Sequence, residues 1–413
     1  MPPVSDEPRT HFRFSAKTRR RLQHAPPGLL LFFVAIALMA VSQGIQDTAY
    51  NNYLSDTFHI SAETRGQLEF PRELPGLLTV GMTGLFFFVS DLGLGAMAAG
   101  AVALGMAAMG IWFRRWWPMV AGTFLWSAGA HLLQPVGDTV SLDLAAEGKA
   151  GRRLGQVGVV GTLAALGGYA VVWFGTRFAG ANYQHIFWIG AVSSAIAIIA
   201  WRLMPALHHH EDRPRFIYKK RYNVFYLLQL VFGARKQIFI TFGPWVLVRV
   251  FGQKAYVLAQ LQAVGAVVGL FFKPFLGQLI DRVGERTILL VESVLMVAVS
   301  LGYGFAQRLL GPGLGLALVC VCFVADQLLF SVGMARTTYL SKIAETQEDV
   351  TPTLSLGVSV NHLVSMSLPT LGGYAWERWG YEWVFVGAAL VAVVNIFVVA
   401  RMKRRHPTPT PPL

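Results

Sequence analysis

A succession of long apolar runs is the feature of this 413-residue sequence that most limits its fold. A helix needs about 20 apolar residues to cross the hydrocarbon core of a bilayer, and runs of this length recur along nearly the whole chain. Charged residues make up 14% of the sequence, against about 25% in a soluble domain, and the mean hydropathy is +0.49. The sequence therefore predicts an all-α polytopic membrane protein rather than a soluble enzyme, a disordered chain or a DNA-binding domain.

The apolar runs divide into two groups of six. The predicted spans are 28–50, 66–89, 93–113, 117–141, 153–176 and 183–204, then 223–249, 255–280, 287–307, 314–340, 352–375 and 382–401. The predicted organisation is a basic tail (1–27), a six-helix bundle (28–204), a central loop (205–222), a second six-helix bundle (223–402) and a short tail (403–413).

The net charge of +13 follows the predicted topology. Of the 35 Lys and Arg residues, 22 fall in the tails and the loops on the side of the N-terminus, eight fall on the other side, and five lie within spans. Loops that remain in the cytoplasm are enriched in Lys and Arg. We therefore expect both termini in the cytoplasm, insertion in the cytoplasmic membrane, and no nucleic-acid partner.

The two halves repeat short motifs in the same order. The segment Leu-Gly-Gly-Tyr-Ala occurs at 166–170 and again at 371–375, in the fifth span of each half. The segment His-Leu-Leu-Gln-Pro-Val-Gly at 131–137 is echoed by Gln-Leu-Leu-Phe-Ser-Val-Gly at 327–333, in the fourth span. Duplicated transporter halves place their binding site between them, near the bilayer midplane.

One loop carries a recognisable family signature. Residues 277–286 read Gly-Gln-Leu-Ile-Asp-Arg-Val-Gly-Glu-Arg, which resembles the G-x-L-x-D-R-x-G-x-R signature of the major facilitator superfamily, at the place between spans 8 and 9 where the family has it. The resemblance covers about residues 28–402. It implies two pseudo-symmetric six-helix bundles, transport by alternating access, and a central cavity lined by spans 1, 4, 7 and 10. The signature identifies neither the subfamily nor the substrate.

The resemblance implies that this loop latches the two halves when the cytoplasmic side is closed. We expect Gly277 and Gly284 to permit a tight turn, and Asp281 to cap the N-terminus of a neighbouring helix, where the dipole favours negative charge. The predicted gating residues are Gly277, Asp281, Arg282, Gly284 and Arg286, together with Asp91 in the degenerate first copy of the motif, whose partner would lie near 351–353. The alternative is an ordinary basic turn.

Span 2 carries charges at membrane depth, where ionisable residues are costly and are functional candidates. Glu69, Arg72 and Glu73 share one helical face because residues three and four apart are neighbours on a helix. The three can therefore form ion pairs with one another. Alternatively, the span begins later, at Leu74, and the charges lie in the outer headgroup layer.

Span 7 carries Arg235 and Lys236 about halfway through the bilayer at ~1.5 Å per residue. Two adjacent cations at this depth predict an anionic substrate, because a carboxylate or phosphate would neutralise them and Arg offers bidentate geometry. Their directions differ by about 100°, so only one is expected to face the cavity. The alternative is that Asp47, Asp326 or another acid pairs with them.

Other polar residues in the spans complete the predicted site. The predicted substrate-binding residues are Arg235, Lys236, Gln43, Gln46, Tyr50, Gln134, Gln327 and Asn361. The predicted proton-coupling residues are Glu69, Glu73, Asp47, Asp326 and His131, although His131 could equally be a packed histidine. Arg72 is predicted to be their ion-pair partner, and Arg336 lies near the inner end of its span, where it could snorkel.

These features together predict a secondary active transporter, not an enzyme. No Walker motif, catalytic triad or zinc-ligand spacing is present in the sequence, so no cofactor or metal is expected, although His208–Asp212 could hold a metal if that loop is not simply solvated. The predicted protein is a monomer that moves a small, anionic organic solute with protons as coupling ion. The alternatives are a proton-driven drug or lipid exporter and a non-transporting receptor on the same scaffold.

Overall fold

The structure is a computed structural model that describes residues 26–85, 88–146, 149–206, 218–346 and 349–402. The predicted tails, except for their residues nearest the helices, and most of the central loop lie outside the described residues, as does the histidine cluster at 208–212. The described chain is helical and contains no strand.

Among the described residues, the first half contains seven helices. They are α1 (Leu29–Phe58), α2 (Ala62–Gln67), α3 (Glu69–Leu85), α4 (Asp91–Ile111), α5 (Trp116–Asp143), α6 (Ala150–Arg177) and α7 (Tyr183–Leu203). The second half contains six, with a short 3-10 turn at Lys220–Tyr222 before them. They are α8 (Asn223–Arg249), α9 (Ala255–Val283), α10 (Glu285–Phe330), α11 (Gly333–Ile343), α12 (Val350–Trp379) and α13 (Tyr381–Ala400).

Two interruptions reconcile these helices with the predicted spans. Leu68 separates α2 from α3, which together correspond to span 2. Gly311 lies within α10 with φ 74° and ψ −179° and breaks it into the helices of spans 9 and 10, because only glycine adopts such a conformation without strain. The described helices are therefore consistent with twelve spans.

Seven helical stretches in the described part of the chain are long and apolar enough to cross a membrane by composition alone, and one of them runs from Glu285 to Ile343. The long helices that fall short are α3, α5, α8 and α12. These four helices carry many of the buried polar and charged side chains described below.

Helix pairings repeat between the two halves. In the first half α1 packs on α6 and α7, and α4 packs on α7; in the second, α8 packs on α12 and α13, and α10 packs on α13. Small residues permit this close approach in membrane proteins. Gly168 lies against the Val41 carbonyl of α1, whereas Gly373, its counterpart in the repeated Leu-Gly-Gly-Tyr-Ala motif, lies against the Ala62 carbonyl of the other half. Both copies of the motif therefore permit close helix contacts, but with different partners.

The halves contact each other mainly where α2 and α3 meet α12, and where α6 meets α9. We call the end of the bundle that carries residues 59–61 the first-loop end. The opposite end, which carries residues 88–90 before α4, is the second-loop end. At the first-loop end the Ala62 amide donates to Glu377 Oε1 at 2.7 Å, and Asn52 Nδ2 donates to the Gln253 carbonyl at 2.9 Å. Hydrogen bonds therefore join the two halves at this end.

An ion pair anchors the end of the central loop to the second half. Lys219 Nζ lies 2.7 Å from both carboxylate oxygens of Asp349, and the Tyr222 hydroxyl donates to Asp349 Oδ2 at 2.7 Å. These hydrogen bonds hold the pKa of Asp349 below its usual value. The chain is thus fixed to the start of α12 immediately before it enters α8.

Candidate functional site

A cavity of about 670 Å³ lies at mid-depth between the two halves. Its wall is built mainly from α1, α3 and α5 of the first half and α8, α9 and α10 of the second, with Arg65 of α2 and Val102 of α4 completing it. Eleven of the predicted site residues line it: Gln43, Gln46, Asp47, Tyr50, Arg72, Glu73, His131, Gln134, Lys236, Asp326 and Gln327. Gln43, Gln46, Asp47 and Tyr50, which are spaced i, i+3, i+4 and i+7 on α1, therefore form a polar stripe that faces the cavity.

Three predicted site residues are not part of the cavity wall. Glu69 is fully buried beside it, between α3 and α8. Arg235 points into the second half, away from the cavity. Asn361 lies where α12 packs against Gly233, and it accepts a hydrogen bond from Ser365 at 3.2 Å.

Glu69 is the centre of an ion-pair network. It is bonded to Arg65, and Arg72 Nη1 lies 2.8 Å from Glu69 Oε2. Gln237 Nε2, from the second half, donates to Glu69 Oε2 at 2.6 Å. Arg65 Nε in turn donates to Asn51 at 2.8 Å. The carboxylate therefore neutralises two cations of its own half and accepts a hydrogen bond from the other half.

Glu73 connects the two halves one helical turn further along α3. Its Oε2 lies 2.9 Å from His362 Nδ1 and 3.9 Å from Lys236 Nζ, and both of these residues belong to the second half. The rings of His131 and His362 meet edge to face, with centroids 4.8 Å apart. Glu69 and Glu73 are buried within the protein, at 0% and 4% exposed, so both carboxylates depend on protein partners.

A second network lies wholly within the second half. Arg235 Nη1 is 3.2 Å from Glu292 Oε1, and Arg235 Nη2 is 2.9 Å from Asp326 Oδ1. Arg336 Nη1 lies 3.2 Å from Glu292 Oε2, and its guanidinium lies 3.7 Å from the centroid of the Phe232 ring. From the cavity into the second half, the charged groups follow in the order Asp326, Arg235, Glu292 and Arg336, so that their signs alternate.

These contacts correct two interpretations of the sequence. Arg235 and Lys236 are not unpaired cations, because buried acids of neighbouring helices face both of them. Arg336 does not snorkel, because it is 2% exposed and bound to Glu292. Glu292 was missed, although an ionisable residue within span 9 is the same signal that identified Arg235.

The cavity wall also contains polar groups without a hydrogen-bond partner among the described residues. Both side-chain atoms of Gln46, Nε2 of Gln327 and the Trp126 indole nitrogen are buried and unpaired. Gln46 and Trp126 belong to the first half and Gln327 to the second. Buried polar groups are almost always paired with protein or with ordered molecules, so these groups are available to a solute or water in the cavity.

The predicted gating residues lie at the second-loop end. Gly284 ends α9 with φ 82° and forms the turn into α10, whereas Gly277 lies inside α9 and is not part of the turn. Asp281 and Arg282 are exposed, and Asp281 has no bonded partner in the described part of the chain. Arg286 donates to the Ala400 carbonyl at 2.9 Å, and Asp91 follows Ser90, which caps α4.

The fold and the cavity define an integral membrane protein with many spans and a polar site between two halves. A family model described as Major Facilitator Superfamily matches residues 32–351. The chain therefore belongs to the Major Facilitator Superfamily. A comparison with curated proteins found no significant match.

Solved transporter structures share this fold at low sequence identity. The nucleoside transporter NupG is 13% identical over 90% of this chain and 98% of its own, with a TM-score of 0.72. A D-xylose-proton symporter is 13% identical over 90% and 96%, with a TM-score of 0.68. A POT family transporter in complex with 5-aminolevulinic acid is 10% identical over 91% and 95%, with a TM-score of 0.73.

The Glu69 network generates a stability prediction. Replacing Glu69 with Gln leaves Arg65 and Arg72 buried without their shared counter-ion, which should destabilise the fold by about 3–5 kcal/mol. Thermal unfolding of the purified protein in detergent measures the change. Glu63→Gln, at the partly exposed start of α2, is the matched control and should shift stability by less than ~0.5 kcal/mol. Equal unfolding temperatures for the two variants would contradict the assigned role of Glu69.

Proposed function

We propose that the protein is a secondary active transporter that moves a small polar organic solute through the mid-depth cavity by alternating access. The observation that carries the proposal is a polar cavity whose walls come from both halves and whose charged groups bond across the boundary between them. The superfamily and its solved neighbours, among them a nucleoside transporter and a D-xylose-proton symporter, support the same function.

We assign the structure to an inward-facing state of a monomer in the cytoplasmic membrane. The first-loop end, where Ala62 bonds to Glu377, is then the closed outer side. The second-loop end is the cytoplasmic side, in agreement with the distribution of Lys and Arg. The start of α6 faces open space at this end, since a Cβ atom on Gly151, Gly155 or Gly158 would meet no atom within 4 Å. This exposure supports an open second-loop end.

The charges of the cavity favour an uncharged or zwitterionic solute. The wall contains three cations, Arg65, Arg72 and Lys236, and three carboxylates, Asp47, Glu73 and Asp326. Because these charges balance, the surplus on which the expectation of an anionic substrate rested is absent. The unpaired amides of Gln46 and Gln327 face the cavity from opposite halves and can donate to and accept from hydroxyl, amide or heterocyclic groups.

An anionic solute is the second candidate. Lys236 Nζ lies 3.9 Å from Glu73 Oε2, which is beyond hydrogen-bonding distance, and Lys236 lines the cavity. Its ammonium group can therefore turn toward a carboxylate or phosphate without breaking a short hydrogen bond.

Substitutions of Gln46, Gln327 and Lys236 separate these candidates. A thermal-shift screen of neutral, zwitterionic and anionic metabolites identifies a ligand, since one at 100 times its Kd stabilises by about 2.7 kcal/mol. For an uncharged ligand, Gln46→Leu and Gln327→Leu should each weaken binding by roughly 2- to 13-fold, or ~0.5–1.5 kcal/mol per lost hydrogen bond. Lys236→Gln should leave its uptake intact, as should Gln278→Leu on the exposed face of α9.

Loss of binding in Lys236→Gln, with an anion as the only ligand found, would instead favour the second candidate. Binding of a ligand without counterflow in proteoliposomes would identify a receptor on this scaffold and overturn the transport proposal. A preference for large apolar compounds would favour the drug or lipid exporter.

We assign proton coupling to Asp47. Its carboxylate lines the cavity, and its bonded partner is the neutral Gln43 amide at 2.8 Å. Asp47 can therefore gain a proton without depriving a bonded cation of its counter-ion. In contrast, Glu69 and Asp326 each neutralise an arginine directly, so protonation there would leave a buried cation with fewer partners.

Asp47→Asn should abolish the dependence of uptake on a pH gradient, because the amide cannot carry a proton. Counterflow of labelled substrate needs no net proton movement and should persist. The assay compares pH-driven uptake and counterflow in proteoliposomes, with Asp138→Asn on the exposed face of α5 as the control. Wild-type uptake that ignores an imposed pH gradient would rule out proton coupling altogether.

The loop at 277–286 is proposed to act as a latch in the outward-facing state. Asp281 lies near the C-terminus of α9, and α9 packs against α6, whose N-terminus at Ala150 has no side-chain cap. The free amides of a helix N-terminus attract a carboxylate. Closure of the second-loop end would bring Asp281 toward these amides, and its exposure in the present structure fits the open, unlatched state.

Asp281→Asn should therefore lower transport and shift the protein toward the inward-facing state while expression is unchanged. The lost charge–dipole interaction is worth about 0.3–1 kcal/mol, and up to ~2 kcal/mol if partly buried. Distances between spin labels at the second-loop end report the shift. Asp56→Asn, an exposed carboxylate at the first-loop end, is the control. Normal transport by Asp281→Asn would mean that the motif serves only the fold.

A further inference from the structure

Three metal-ligating side chains converge at the boundary between the two halves. They are Glu73 of α3, His131 of α5 and His362 of α12. We propose that these residues bind a divalent transition metal ion of the Zn²⁺ type, which bridges the two halves and holds them in the present state. The site lies at the wall of the proposed transport cavity, but its test requires neither the identity of the solute nor that of the coupling ion.

The geometry needs only small side-chain movements to bind such an ion. One donor atom from each residue lies within 4.8 Å of the other two, and His362 Nδ1 is already 2.9 Å from Glu73 Oε2. Zinc bonds to His nitrogen and carboxylate oxygen are about 2.0–2.2 Å long and tetrahedral, which places the donors of one ion about 3.3–3.5 Å apart. The donors, which lie within 4.8 Å of one another, must therefore move closer together to hold one ion.

The donor set determines the class of ion. Two imidazoles and one carboxylate suit Zn²⁺, Co²⁺ or Ni²⁺, whereas Mg²⁺ and Ca²⁺ prefer sets of oxygen ligands. Glu73 and His131 line the cavity, so the fourth coordination position is accessible to water from there. The His362 ring packs directly against Gly76, where any side chain would overlap the imidazole.

Lys236 competes with the metal ion for Glu73. Its ammonium group lies 3.9 Å from Glu73 Oε2, so a divalent cation at the same carboxylate must displace it against charge repulsion. Removal of this positive charge should therefore strengthen metal binding. This expectation distinguishes the proposed site from any site elsewhere on the chain.

The bridging position gives the ion a specific effect. Glu73 and His131 belong to the first half, and His362 belongs to the second. Because coordination bonds fix all three donors around one point, a bound ion would prevent the halves from separating at α3 and α12. Micromolar Zn²⁺ is thus expected to arrest the protein rather than to energise it.

The test uses Co²⁺ and Zn²⁺ alone as probes of the purified full-length chain. The background variant carries His208→Ala, His209→Ala and His210→Ala, which removes the other histidine cluster in the sequence. We expect the visible absorption of tetrahedral Co²⁺, a Zn²⁺-dependent rise in unfolding temperature, and a stoichiometry of about one ion per chain, as for one three-ligand site.

In this background His131→Gln and His362→Gln should each weaken Co²⁺ binding at least tenfold, while Lys236→Gln should tighten it. His185→Ala, on the exposed start of α7, is the matched control and should bind Co²⁺ normally.

Unfolding temperatures without metal establish that each variant is folded, and Gly76→Ala gives a second, independent route to displacing His362. Binding that is absent in the background protein, or unchanged in both histidine variants, would overturn the proposal. Neither outcome depends on a transport measurement.

Discussion

The cost of a charge inside a bilayer determines how this molecule is assembled. An ionised side chain removed from water needs a partner nearby, and Glu69 meets this need for Arg65 and Arg72 at once while accepting a hydrogen bond from Gln237 of the other half. Because the Glu69 carboxylate is fully buried, its bonds to these partners fix α2, α3 and α8 relative to one another. The helices around the cavity are therefore held in place by ion pairs and hydrogen bonds as well as by apolar packing.

The two charge networks differ in what they connect. The network around Glu69 and Glu73 crosses the boundary between the halves, so its cross-boundary contacts must change when the halves move under the proposed mechanism. The network of Arg235, Glu292, Asp326 and Arg336 lies within the second half and need not change. One half can therefore move as a rigid body around a buried, self-neutralised centre, while the opposing surfaces exchange partners at the cavity.

The sequence predicted periodic features well and tertiary partners poorly. α8 coincides with the predicted span 223–249, whereas α1 continues eight residues beyond its predicted end because Tyr50, Asn51 and the residues after them remain buried among other helices. The polar stripe on α1 follows from helical spacing alone. The partners of Arg235 do not follow from helical spacing, because Glu292 and Asp326 lie far from it along the chain. No local rule predicts which acid will pair with which cation. The convergence of Glu73, His131 and His362 is hidden for the same reason.

The contact between α2 and α12 has a mechanical consequence. Gly66 lies against the Pro369 carbonyl and Gly373 against the Ala62 carbonyl, so backbone meets backbone with no side chain between them. Such a contact contains no rotamers that must be repacked when the helices tilt. Under alternating access it acts as a fulcrum near the first-loop end, and each half is a lever that extends from it across the membrane. A tilt of about 10° there becomes a displacement of about 5 Å at the far end of a helix about 30 Å away, by the geometry of a 20-residue helix.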